Sequence, residues 1–238
     1  MNSKHGLLLL GVCLLLLCAF IGTASAKTWY VDDSGGADFT KIQDAINAAN
    51  ESDTIFVYNG TYIEHLSLDK NNLTLLGEDR NTTIIDGYGY AGDVVTVGGD
   101  SCTINCTING FTIENSGVSD AAIATECSKC INISNNILKN NCFGISSPGY
   151  WCACKEGYEL RAGHNIITQN IISDNNGPGI SASSSDNIIS HNVIFSNNPG
   201  VSISSDNNTI SDNNISYNEY SNIRLSGLKN RCCPKFRG

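Results

Sequence analysis

Isoleucine and asparagine recur at a fixed interval through the second half of the chain. Asn165-Ile-Ile-Thr-Gln-Asn170-Ile-Ile, Asn187-Ile-Ile-Ser-His-Asn192-Val-Ile and Asn208-Thr-Ile-Ser-Asp-Asn213-Asn-Ile superimpose in steps of 22 and 21 residues. A fainter copy, Ile131-Asn-Ile-Ser-Asn-Asn136-Ile-Leu, lies upstream. Read vertically, the copies form columns. Asn136, Asn170, Asn192 and Asn213 make one, and Asn141, Asn175, Asn197 and Asn218 a second. The aliphatic columns are Ile167, Ile189 and Ile210; Leu138, Ile172, Ile194 and Ile215; and Ile145, Ile180, Val201 and Ile223. A coil of about 22 residues accommodates three short strands and three turns, each strand pairing with its counterpart one coil later at about 4.8 Å. The pattern therefore predicts an all-β fold, a right-handed parallel β-helix of roughly 21–26-residue coils. Stacked aliphatics fill its interior. Stacked asparagines hydrogen-bond amide to amide along the axis and tolerate the left-handed backbone that tight turns require. So much Asn, Ser, Thr and Ile without any heptad excludes a helix bundle.

The pattern changes before this region. Thr40-Lys-Ile-Gln43 reads as a capping box opening a helix over Lys41–Ala49, with Ile42, Ala45, Ile46 and Ala49 as one apolar stripe. Such a helix can plug the first coil, which otherwise exposes core and strand edges. Asp53–Val57, Leu73–Leu76 and Thr83–Ile85 read as early strands. An insertion at about 148–163 displaces the upstream copy from the regular ones. The expected organisation is a leader over 1–26, a strand and capping helix over 27–53, the β-helix over 54–228 and a basic, cysteine-containing tail over 229–238. One period after Asn208 falls Asn230, so a further coil begins and then dissolves; Pro234 lacks a ladder donor. That leaves the carboxy-terminal end of the solenoid open to an intermolecular contact, or marks a truncated relative of a longer protein.

The leader is read from Lys4 and His5, the apolar run Leu7–Ile21 and the small residues Ala24-Ser25-Ala26, with cleavage after Ala26. The run is too short for a membrane span, and no transmembrane segment is expected in the mature chain. Cleavage leaves 13 basic side chains (14 less Lys4) against 23 acidic ones. Residues 224–238 hold five of the basic groups, Arg224, Lys229, Arg231, Lys235 and Arg237, and no acidic one, so the body before them carries 8 − 23 = −15. Such a body repels phosphates, which excludes nucleic acid as a partner. It also repels acidic polysaccharide unless calcium bridges the two. Sequons at Asn50, Asn59, Asn72, Asn81, Asn105, Asn132, Asn207 and Asn214 allow a glycosylated surface protein.

Several motifs resemble a known family. Trp29-Tyr-Val-Asp-Asp33, Asp38-Phe-Thr-Lys-Ile-Gln-Asp-Ala-Ile46, Asp53-Thr-Ile-Phe-Val-Tyr-Asn-Gly-Thr-Tyr62, Leu73-Thr-Leu-Leu-Gly-Glu78 and Thr83-Ile-Ile-Asp-Gly87, followed by Asn-rich coils, look like the NosD-type right-handed β-helix proteins. These are abundant among exported archaeal surface proteins and share the pectate-lyase-like architecture. The resemblance runs from about Thr28 to Leu225. It implies the fold far more than an activity: the family name refers to a copper-delivery protein, and most relatives have no assigned chemistry. Asn59 departs from the pattern, which has Pro there.

The candidate chemistry falls in three places. Gln169, His191 and Asp212 occupy equivalent positions just before inward asparagines, which puts His191 and Asp212 one strand spacing apart on the outside. Such a pair can orient a general base or hold a metal, and is more often a plain cross-strand polar pair. Asp174, Asp186, Asp206 and Asp212 share no column, and no basic residue stands beside an acidic cluster. Of the 11 cysteines, Cys13 and Cys18 leave with the leader. Cys127, Cys130, Cys142, Cys152 and Cys154 gather at the insertion and could bind zinc or copper. In an exported protein, disulfides pinning the insertion to the coils are the stronger reading. Cys102 and Cys106 lie about 13 Å apart along one strand and cannot bridge each other; Cys127 and Cys130 on neighbouring coils are candidate partners. Tyr150, Trp151 and Tyr158 could stack on sugar rings or cover the insertion's own small core. Together these give an exported or cell-surface β-helix with a non-catalytic structural or carbohydrate-binding role and no required cofactor. The alternatives are a polysaccharide lyase or hydrolase, and a NosD-like copper-binding protein.

Overall fold

The computed structural model describes residues 25–149, 151–154 and 159–233. The expected leader lies outside them up to residue 24. The chain winds as a right-handed parallel β-helix with three parallel sheets as its walls. Sheet 1 stacks Thr28–Val31, Thr54–Val57, Thr74–Gly77, Thr107–Asn109, Asn132–Ser134, Ile166–Thr168, Ile188–Ser190, Thr209–Ser211 and Arg231–Cys233. Sheet 2 stacks Gly60–Ile63, Thr83–Asp86, Thr112–Glu114, Ile137–Lys139, Ile171–Ser173, Val193–Phe195 and Asn214–Ser216. Sheet 3 stacks Leu66–Leu68, Val95–Ile104, Ala121–Lys129, Phe143–Ser147, Ile180–Ala182, Val201–Ile203 and Ile223–Leu225.

The aliphatic columns fill the bore as the periodicity requires. Ile167 sits over Ile189 and Ile210 in sheet 1, Ile172 over Ile194 and Ile215 in sheet 2, and Ile180 over Val201 and Ile223 in sheet 3. All but Ile223 are buried. Burial of each such side chain contributes about 1.5–3 kcal/mol.

The asparagine columns turn the corners, and their geometry is uniform. Asn170 donates its backbone N–H (2.9 Å) and its Nδ2–H (3.0 Å) to Oδ1 of Asn192, and the second Nδ2 hydrogen to the Ile133 carbonyl (2.9 Å). Asn141, Asn175, Asn197 and Asn218 repeat this at the next corner. A third ladder, Asn165, Asn187, Asn208 and Asn230, occupies the corner leading into sheet 1. It continues past the expected end of the solenoid: Arg231–Cys233 pairs with Thr209–Ser211, and Cys232 packs under Ile210.

The helix α1 (Ile42–Ala48) closes the amino-terminal end, burying Ile42, Ala45 and Ile46. The capping box does not form. Lys41 is extended and makes the N-cap without a side-chain bond, and Gln43 is turned instead to the Ser67 backbone N–H (2.8 Å). The exposed helix donors are satisfied from 22 residues downstream: Glu64 accepts the N–H groups of Ile42 (2.8 Å) and Gln43 (3.0 Å). A carboxylate there also complements the positive end of the helix dipole.

Candidate functional site

Each ladder asparagine follows a residue held in the left-handed region. Gln169, His191 and Asp212 have φ of 60°, 57° and 56°; His164, Asp186 and Asn207 have 57°, 63° and 60°; Asp174 has 56°. Asn, Asp and His are the non-glycine side chains that enter this region most readily. The backbone therefore accounts for His and Asp at these corners. His191 and Asp212 occupy consecutive turns of one corner and both are exposed. The corner before it brings His164 Nε2 to 3.9 Å from Asp186 Oδ2, a pair of the same kind that the sequence reading passed over.

The insertion is stapled to the solenoid. Trp151–Ala153 pairs antiparallel with Glu159–Arg161, and disulfides join Cys102 to Cys154 and Cys127 to Cys152. Cys102 thus reaches into the insertion rather than to Cys127 or Cys130 of a neighbouring coil. Cys102 stands near the end of the long strand Val95–Ile104. Cys102, Cys152, Cys154 and Leu160 make a small buried cluster there, with Ile104 and Cys127 against it. Tyr150 and Tyr158 lie outside the described residues. Cys106, Cys130 and Cys142 are thiols. Burial pushes the Cys106 thiol up to about 11, and burial together with the nearby Asp120 raises Cys142. Among the described residues no three His, Cys, Asp or Glu side chains converge as metal ligands.

The outer face of sheet 2 carries a constellation that the sequence reading missed. Asp86, Glu114, Lys139, Ser173, Phe195 and Ser216 stand in register, one per coil, over about 24 Å. Lys139 Nζ lies 3.1 Å from Glu114 Oε2, their side chains 41% and 17% exposed. Asp86 Oδ1 accepts the Tyr88 N–H and an Asn115 Nδ2–H, both at 2.8 Å. A basic group therefore does stand beside a carboxylate, with Asp86 one rung further on. They are 28 and 25 residues apart in coils of unequal length, so no repeat marks the register; the inward Ile85, Ile113 and Leu138 that each follows by one position would have shown it.

Exposed aromatics bracket this strip. Tyr88 and Tyr90 lie at its amino-terminal end with ring centroids 5.3 Å apart. Tyr217 and Tyr220, 88% and 93% exposed, lie at the other. Beside Tyr217 a groove of about 320 Å³ runs along the corner, lined by Asp174, Asn176, Ser196, Asn198 and Glu219.

Known proteins share this architecture. The carrot pectin methylesterase superimposes with a TM-score of 0.60 at 14% identity, over 87% of this chain and 65% of that one. A pectin methylesterase solved in complex with a hexasaccharide gives 0.57 at 17%, over 87% and 67%. In sequence, Pectinesterase A of Dickeya chrysanthemi is 37% identical over 92 residues, which are 35% of this chain and 25% of that protein. The chain thus spans about a quarter of the length of the curated relatives it matches. The family described as periplasmic copper-binding protein (NosD) matches residues 46–231, nearly the whole solenoid, and the chain belongs to that family.

Proposed function

We propose that the protein is exported, loses its leader after Ala26 and binds neutral stretches of a polysaccharide along the outer face of sheet 2, without acting on them. The carrying observation is the column of Asp86, Glu114, Lys139 and Ser216, interrupted by buried Ser173 and half-buried Phe195 and bracketed by Tyr88, Tyr90 and Tyr217, Tyr220. Aromatic faces offer apolar area at low entropic cost, and the strip between them supplies hydrogen-bonding groups. A pectin methylesterase of the same fold holds a hexasaccharide, which supports a saccharide as ligand. The net charge of −15 up to Ile223 favours neutral chains over uronates.

Affinity electrophoresis of the mature protein in gels containing highly methyl-esterified pectin, a largely neutral polymer, tests the proposal, with de-esterified polygalacturonate as the acidic comparison. Retardation by the esterified polymer that Tyr217→Ala reduces supports it. Unretarded migration in both gels rejects it.

A second reading rests on the Asp86–Glu114–Lys139 column. Carboxylates on successive rungs, one of them paired with a cation, can serve hydrolysis as nucleophile, acid and charge partner, and the stretch of 37% identity is to a pectinesterase. Methanol release from esterified pectin, abolished by Glu114→Gln, would replace the binding reading with this one. Among the described residues the donors do not fit the copper that the family description names, because no three of them converge. Four cysteines are in disulfides, His65 hydrogen-bonds to the carbonyls of Asp93 and Gly87, and His164 pairs with Asp186.

A further inference from the structure

A cavity lies away from sheet 2, at the amino-terminal end of the outer face of sheet 1. It has about 620 Å³ and is lined by Tyr30, Asp32, Gly35, Gly36, Asp38 and Tyr58. Tyr30 and Tyr58, 43% and 36% exposed, lie side by side with ring centroids 6.1 Å apart and planes within 24°. Phe56 supports both from one edge, at 5.9 Å from Tyr30 and 5.1 Å from Tyr58.

The rim facing this aromatic floor is fixed before any ligand arrives. The Asp32 and Phe39 N–H groups donate to the carbonyls of Phe39 and Tyr30, which pins the loop at both ends. The Gly35 N–H donates to the Asp32 carbonyl, and Asp32 Oδ1 accepts from the Ser34 N–H and hydroxyl. Asp38 Oδ2 accepts the Tyr30 N–H at 3.0 Å. Gly35 and Gly36 hold φ of 89° and 95°, which other residues resist, and a Cβ on either would meet only open space. The second oxygens of Asp32 and Asp38 carry no hydrogen bond among the described residues.

We infer that this cleft is a saccharide-binding site separate from the sheet 2 strip, taking the apolar face of a neutral pyranose on Tyr30 and Tyr58 and its hydroxyls on Asp32 and Asp38. The volume falls within the range of small-ligand pockets, which combine aromatic walls with a few fixed polar groups. A pinned rim spares the ligand the cost of ordering it. Two carboxylates repel a uronate. A quaternary ammonium is recognised by rings that enclose it, whereas these two tyrosines stack at one side of the cleft.

Amide spectra of the isotope-labelled mature protein decide the matter, titrated separately with galactotetraose, tetragalacturonate and tetramethylammonium. Galactotetraose should shift the Gly35 and Gly36 amides saturably. Tyr58→Ala and Asp38→Asn should each weaken that response about tenfold, equivalent to ~1.4 kcal/mol, and Tyr217→Ala should leave it unchanged. The last variant separates this cleft from the sheet 2 strip, so either site can fail alone. If Tyr58→Ala does not fold, the wild-type titration and Asp38→Asn still decide. No saturable shift with galactotetraose, an equal response to tetragalacturonate, or a response to tetramethylammonium in its place overturns the inference.

Discussion

Asn218 donates both its backbone N–H and its Nδ2–H to Oδ1 of Asn222, four residues further along the same chain. In the coil before, Asn197 makes the same two bonds to Asn218, a full turn away. Asn222 thus stands where the next rung would be and ends that ladder from within its own coil.

The two kinds of rung should differ in cost. Asn170→Ala strips the acceptor from both the backbone N–H and an Nδ2–H of Asn136 and leaves the Ile133 carbonyl without its Nδ2 donor, while Asn192 Oδ1 keeps the backbone N–H of residue 170. Each orphaned buried group costs about 1–3 kcal/mol, so the loss should exceed about 3 kcal/mol. Asn222→Ala removes an acceptor from a half-exposed rung and should cost about 1 kcal/mol. Urea unfolding of both variants checks the ranking.

The same contrast explains what the sequence could reveal. From Asn165 onward the coils keep nearly constant length, so register, inward aliphatics and two ladders can be read by eye. The third ladder was visible as the first letter of each repeat, and its corner is read as soon as Asn208 is paired with Asn230. Before Asn136 the coils vary, so Asp86, Glu114 and Lys139 share a face without sharing an interval. Glu64 as the cap of α1 was equally hidden, because helix signals are sought within a few residues while its carboxylate arrives from the next wall. Cys102 pairs with Cys154 across 52 residues through an insertion that follows no period.

The disulfides should hold the hairpin and leave the solenoid independent of it. Cys152→Ser with Cys154→Ser should keep the far-ultraviolet β spectrum while opening residues 148–163 to proteolysis, at about 2–4 kcal/mol for each lost bridge. Alkylation of the unreduced native protein should modify exposed Cys130 and spare Cys106, whose thiol is buried and held to about 11. Peptide mapping before and after denaturation distinguishes the two.

The Lys139–Glu114 pair should matter little to stability. It is partly exposed, and such pairs contribute roughly 0–1 kcal/mol. Glu114→Gln should therefore shift the unfolding midpoint only slightly. Any large change in saccharide binding or methanol release in that variant then reports on the strip itself and not on a damaged fold.

The first residue after the proposed cleavage makes a sharper prediction. The backbone nitrogen of Lys27 donates to Asp53 Oδ1 at 2.7 Å, and Asp53 Oδ2 accepts from the Trp29 indole (3.1 Å) and the Asn50 N–H (2.9 Å). Burial pushes the Asp53 carboxyl up, but the bonds from Lys27, Asn50 and Trp29 and the charge of Lys27 outweigh it, and the net direction is down. A carboxylate with a depressed pKa contributes stability above its unfolded value and loses it as pH falls through the folded one. Cleavage after Ala26 converts the Lys27 amide into an α-ammonium facing a buried carboxylate, a charge-assisted bond stronger than the neutral one. An ammonium that gains such a partner has its pKa raised, so its contribution is complete below the ordinary α-amino range of about 7.7–8.0 and is lost as pH rises through the folded value. The chain beginning at Lys27 should therefore unfold at a higher temperature near pH 6 than the same chain acetylated at Lys27 or extended by one alanine. The advantage should shrink toward pH 10 and toward pH 2, and Asp53→Asn should abolish most of it at pH 6. Equal unfolding temperatures across the three chains at pH 6 would show that the amino terminus and Asp53 do not interact as charges.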